Sequence, residues 1–115
     1  EEMVIQTTDT ALHLGSGEVP VLATPRLISL CEKATMSAVA GHIDDGFTTV
    51  GLCIQIDHLR PTAVDQLITA EATLDTIEGR RLIFSVTAKD SRGLIGAGRV
   101  TRVVVDIERF MEKTR

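Results

Sequence analysis

Aromatic side chains are nearly missing from this sequence, which has three Phe and neither Tyr nor Trp. Proteins that bind single-stranded nucleic acid need stacking rings along a positive groove, so that class is excluded. Long apolar runs are missing as well. Stretches such as Leu82-Ile83-Phe84 and Val103-Val104-Val105 fall far short of the about 20 residues a membrane-spanning helix requires, and no membrane partner is expected. No Arg/Lys-led apolar stretch with a cleavage site opens the sequence, so no secretory signal is expected. Cysteine is scarce. Cys31 and Cys53 each lie in an apolar pattern without a CxxC, and read as small buried hydrophobes of a reducing, cytoplasmic chain. His13, His42 and His58 are too dispersed for a zinc site, so no metal is expected.

What remains is an ordinary globular composition, 43% hydrophobic and 24% charged over 115 residues, which predicts one domain spanning 1–115 with its own core. The net charge of −4 is unevenly spread. Within Gly79–Arg102 six bases (Arg80, Arg81, Lys89, Arg92, Arg99, Arg102) face a single acid, Asp90. That local excess suggests a small phosphorylated ligand rather than a polymer.

The clearest element begins at Thr24-Pro25, where Thr can cap a helix and Pro fits its first turn. Leu27, Leu30, Cys31, Ala34 and Ala38 then recur at helical spacing, to about Ala40 before Gly41. Met3–Leu14 has room for one strand, and Leu14–Pro20 is a loop by composition. After Asp44-Asp45-Gly46 the pattern alternates, with Val50, Leu52, Ile54, Ile56 and His58 assigned to one strand face. Further strands are predicted over about Gln66–Thr76, Arg81–Ala88 and Leu94–Ile107, joined by turns at Glu78-Gly79 and Asp90–Gly93. Four successive strands joined by tight turns form an antiparallel meander, and with one preceding helix the class is α+β. Gly93, Gly96 and Gly98 lack the strand-to-helix context of a nucleotide loop, and are read as points of close backbone approach.

Three polar residues stand where a purely structural pattern prefers others. Thr24 heads the helix, Glu32 lies two turns later on the flank of the apolar face, and His58 ends a strand on its apolar side. If that helix side meets the strand, the three form a cluster in a semi-buried cleft, with a carboxylate suited to base or nucleophile work.

The run Val21–Ala34 (VLATPRLISLCEKA), then Thr49-Val-Gly51, then His58-Leu-Arg-Pro-Thr62, resembles the fluoroacetyl-CoA thioesterase-like branch of the hotdog-fold superfamily. The segments Glu78–Leu82, Phe84–Ala88 and Ile95–Gly98 through Arg102 and Phe110 continue the resemblance, which extends from about Val21 to Lys113. It implies a hotdog protomer, one long helix wrapped by a curled antiparallel sheet, that forms a homodimer or higher homo-oligomer. It also implies hydrolysis of a small acyl-CoA, with no cofactor beyond the CoA of the substrate itself. Thr24, Glu32 and His58 match the family's catalytic set, Gly51 its glycine near the thioester, and Arg102 its closing arginine beside the substrate. The basic residues of 79–102 then become candidates for the CoA phosphates. The sequence departs from the pattern at Leu14–Pro20, which has no aromatic lid residue, at Ala63 and Asp65 in place of Pro and Gly, and at Val100 in place of His. The resemblance therefore does not extend to fluoroacetyl specificity. The alternative reading is a hotdog dimer that binds acyl-CoA or a related ligand without turnover.

Overall fold

Helix α2 (Thr24–Ala38) is the element around which the rest of the chain is arranged. In the computed structural model, which describes residues 1–115, it seats Leu27, Leu30, Cys31 and Ala34 against a curled antiparallel sheet. These four positions share the apolar stripe that helical spacing predicts. The sheet supplies the other half of the core, including Ile68, Ala70, Leu82, Phe84, Val86, Ala88, Ile95 and Val100. Gly96 is where helix and sheet come nearest: a Cβ there would stand 3.0 Å from Leu27 Cδ2. The α+β class is as expected.

Four long strands, β2 (Phe47–His58), β3 (Leu67–Glu78), β4 (Arg81–Asp90) and β5 (Gly93–Asp106), are joined by a short β1 (Glu2–Val4). Their order across the sheet is β1-β3-β4-β5-β2, and every neighbouring pair is antiparallel. The expected four-strand meander is therefore corrected to three strands. The turns at Gly79 (φ +61°) and Gly93 (φ +127°) build the β3–β4–β5 hairpins, whereas β2 pairs with β5 and its link to β3 crosses the structure through residues 59–66. Pro61 within that link has no N–H for a sheet ladder, and Asp65 takes a left-handed φ of +74° there.

The one strand expected within Met3–Leu14 is present but short, lying over Glu2–Val4, and the rest of the segment is mostly helical. After β1 come a 3₁₀ turn at Thr7–Asp9 and a one-turn helix α1 (Ala11–Leu14), capped by the Thr10 hydroxyl and ended by Gly15 at φ +73°. Asp9, nearly buried, receives Arg26 Nε at 2.8 Å and so ties this segment to the start of α2. A short helix α3 (Ile107–Glu112) follows β5, its first turn capped by Asp106. No helix is long and apolar enough to cross a membrane.

The even-numbered face assigned to the first long strand changes midway. Gly51 pairs with Arg102 and Cys53 with Thr101, so Leu52 is an extra residue in a β-bulge. Before the bulge Thr49 and Gly51 face helix α2; after it Ile54, Ile56 and His58 do. Leu52 is instead 53% exposed. The same shift turns Cys53 outward, correcting its expected burial, while Cys31 lies in the core and burial pushes its thiol up to about 11.

Candidate active site

Thr24 was expected to cap α2, but it is the first residue of the helix and Ala23 takes the cap position without a side-chain bond. The Thr24 hydroxyl is thereby released to His58, with Oγ1 and Nδ1 2.8 Å apart. His58, the last residue of β2, is half-buried, and its Nε2 is sealed from solvent without any hydrogen-bond partner. Burial lowers the proton affinity of this imidazole below the ordinary 6.5, and a backbone hydrogen bond with Arg60 offsets only part of that effect. A neutral ring with one nitrogen engaged and the other waiting is suited to proton transfer. A cavity of about 340 Å³ opens over the pair, walled by Val19, Val21, Leu59, Pro61 and Arg60 among others.

Glu32 stands two helical turns further along α2, about 12 Å along the axis at 1.5 Å per residue. It hydrogen-bonds neither Thr24 nor His58. Its Oε2 accepts from Arg102 Nη1 at 3.4 Å and lies where a Cβ on Gly51 would come within 3.0 Å. Arg102 is 4% exposed, and its guanidinium is fixed by Nε donating to Thr49 Oγ1 (2.8 Å) and Nη2 donating to the Thr49 carbonyl oxygen (2.9 Å). The Glu32 side chain keeps 34% exposure.

The five residues singled out from the sequence thus fall on the helix-facing side of the β2–β5 ladder in two groups: Thr24 with His58, and Glu32 with Gly51 and Arg102. Sequence reasoning missed Thr49, the anchor of Arg102; its place two residues before Gly51, on the same strand face, was the available signal. It also missed Arg60 and its buried neighbour Asp90, joined only by the crossover.

The basic run of 79–102 does not form one patch. Arg80 and Arg81 lie at one end of β4, Lys89 and Arg92 at or beyond the other, about 27 Å away at 3.4 Å per residue, and Arg102 is turned inward. A hairpin converts a charge cluster in sequence into dispersed charges in space.

A long helix cradled by a curled five-stranded sheet in this order is the hotdog fold. A hot-dog-like protein from Thermanaerovibrio acidaminovorans superposes with a TM-score of 0.90 at 21% identity, covering 99% of this chain and 84% of that one. The match sharpens at the family level. The chain belongs to the fluoroacetyl-CoA-specific thioesterase (FlK) family, whose model matches residues 5–108, and it is a thioester hydrolase. The fluoroacetyl-CoA thioesterase of Streptantibioticus cattleyicolor is 35% identical over 95 residues, 83% of this chain and 68% of that protein. A solved FlK variant in complex with fluoroacetate and CoA superposes with a TM-score of 0.90 at 30% identity, covering 96% of this chain and 93% of that one.

Proposed function

We propose that this protein hydrolyses the thioester of a small acyl-CoA, with Thr24, Glu32 and His58 as its catalytic set and Gly51 and Arg102 on the substrate side. The observation that carries the reading is the Thr24–His58 contact of 2.8 Å beneath an open cavity, with His58 Nε2 buried and unpartnered. A buried polar atom without a partner is costly, so a shift of the site that lets a substrate or water reach Nε2 would be favoured. In this reading water attacks the acyl carbon as Glu32 takes its proton, or the Glu32 carboxylate attacks and water then cleaves the resulting anhydride. The C–S bond breaks, and the proton released by the water reaches the departing thiolate through His58. Glu32 and His58 of one protomer stand in separate groups, so the reading requires the dimer to bring both onto one thioester. Thr24 fixes the imidazole, and the absence of a side chain at Gly51 leaves room beside Glu32 for the reacting group.

The same reading includes a homodimer. Strand β2 is at the edge of the sheet, its outer ladder unpaired along Phe47–His58, and it carries the exposed apolar residues Phe47 and Leu52. Pairing with a second β2 would cover that edge. Light scattering after gel filtration should give twice the protomer mass.

Thiol release from a panel of acyl-CoAs, measured for the native protein and Glu32→Gln in parallel, tests the chemistry. Turnover of a short acyl-CoA that falls about 10²–10⁴-fold in Glu32→Gln is expected. No turnover across the panel, or a fully active Glu32→Gln, would overturn it.

A further inference from the structure

The cavity above Thr24 and His58 has one formally charged side chain in its lining, that of Arg60. The rest is largely apolar or small, including Ala11, Gly17, Val19, Leu22 and Pro61. A charged side chain among such residues needs a reason, and its guanidinium reaches from the cavity lining toward the β4–β5 turn. Its one acidic neighbour is Asp90, whose side chain is 4% exposed, and the contact is loose: Arg60 Nη2 lies 3.5 Å from Oδ1, and Nη1 is 3.4 Å from the Arg92 carbonyl oxygen.

Asp90 does not depend on Arg60. It accepts the Arg92 N–H at 2.8 Å and the Thr62 hydroxyl at 3.0 Å. Burial pushes the Asp90 carboxyl up, but these bonds, with the Arg60 charge and the Gly93 N–H, together hold it below its usual value. Arg60 is therefore held in position by two weak contacts while most of its five N–H donors stay unspent. It is half-buried, its side chain 35% exposed, so an anion meeting it would be partly shielded from water.

We propose that Arg60 is a specificity-determining residue that receives a carboxylate at the far end of the acyl group, so that the preferred substrates are dicarboxylic acyl-CoAs. This rests on the thioesterase reading above. The shared cavity favours the acyl end of the substrate: the CoA phosphates lie beyond the pantetheine arm from the thioester, whereas Arg60 and His58 line one space of about 340 Å³. An arginine binds a carboxylate with paired, charge-assisted hydrogen bonds.

The test compares kcat/KM for succinyl-CoA and butyryl-CoA, chains of equal length that differ in the terminal carboxylate. The native protein should prefer succinyl-CoA about 10- to 100-fold. That ratio should collapse in Arg60→Gln, mainly through KM, and return in part in Arg60→Lys. Butyryl-CoA turned over as well as or better than succinyl-CoA overturns the proposal while leaving the thioesterase reading intact. An Arg60→Gln defect that is equal for both substrates and disappears with their 3′-dephospho forms assigns Arg60 to a CoA phosphate and also overturns it. Calorimetric binding of both thioesters to Glu32→Gln decides the matter independently of turnover: equal affinities refute it, and tighter succinyl-CoA binding lost in the Glu32→Gln/Arg60→Gln double variant supports it.

Discussion

Arg102 of β5 grips Thr49 of β2 at two points, through the threonine hydroxyl at 2.8 Å and its carbonyl oxygen at 2.9 Å, before its remaining terminal nitrogen reaches Glu32 at 3.4 Å. The short bonds are to Thr49 and the long one is to the carboxylate. Arg102 is thus a structural clamp that also sets where Glu32 rests.

Replacing this clamp should lower stability as well as activity. Arg102→Met removes two charge-assisted bonds at a site only 4% exposed, each worth about 1.5–3 kcal/mol. The contribution of the half-exposed Glu32 pair is smaller because solvent screens it. Denaturant titration should give a clearly lowered midpoint. A variant as stable as the native protein would contradict the clamp.

Gly51→Ala separates the two effects. Gly51 is not among the glycines with positive φ, so alanine can adopt the backbone there. The new methyl would stand 3.0 Å from Glu32 Oε2 and 4.0 Å from Arg102 Nη1. The end of the glutamate is free to swing aside, so the midpoint of unfolding should stay close to native. Thiol release should fall about tenfold or more, because a carboxylate displaced by a fraction of an ångström loses its alignment. Native activity in Gly51→Ala would count against a role for Glu32 at this position.

The acid limb of activity should lie below pH 6.5. His58 prefers its neutral form in the folded chain, chiefly through burial. As pH falls below 6.5 the unfolded chain takes up the proton first, so the associated stability is full above that value and declines toward the depressed folded value. Proton NMR of the His58 ring, assigned with His58→Gln, should give a midpoint under 6.5 in the native protein. A midpoint at or above 6.5 would contradict the burial of the ring.

Much of the architecture was legible because it rests on local periodicity. The stripe Leu27, Leu30, Cys31 and Ala34 fixed the helix, and Gly79 and Gly93 marked the two tight turns. Partner choice was not legible. Nothing local to Leu67 says that it belongs beside β1 and β4 rather than β2, since that depends on how the crossover 59–66 passes the helix. The same non-locality hid the pairing of Arg102 with Thr49 and dispersed the basic run of 79–102. The spacing of Thr24, Glu32 and His58 was visible, but not that the first would bond the third while the second bonded Arg102.

The bulge at Leu52 explains why strict alternation failed, and it makes a sharp prediction. In a regular strand Thr49 and Gly51 cannot share a face with Ile54, Ile56 and His58, because the side-chain period is two. The extra residue resets the parity, bringing Gly51 and His58 to the same side of the ladder. Deleting Leu52 should restore regular pairing and force one group away from α2, either the Thr49 clamp or the Ile54, Ile56 and His58 set. Each outcome breaks the site, and the second also exposes core. Leu52→Ala, by contrast, keeps the residue count and loses only a side chain that is 53% exposed in the protomer. Thiol release should therefore be abolished by the deletion and largely retained by the alanine variant, with far-ultraviolet circular dichroism reporting whether the sheet persists. Activity surviving the deletion would mean that the bulge does not set the face of His58.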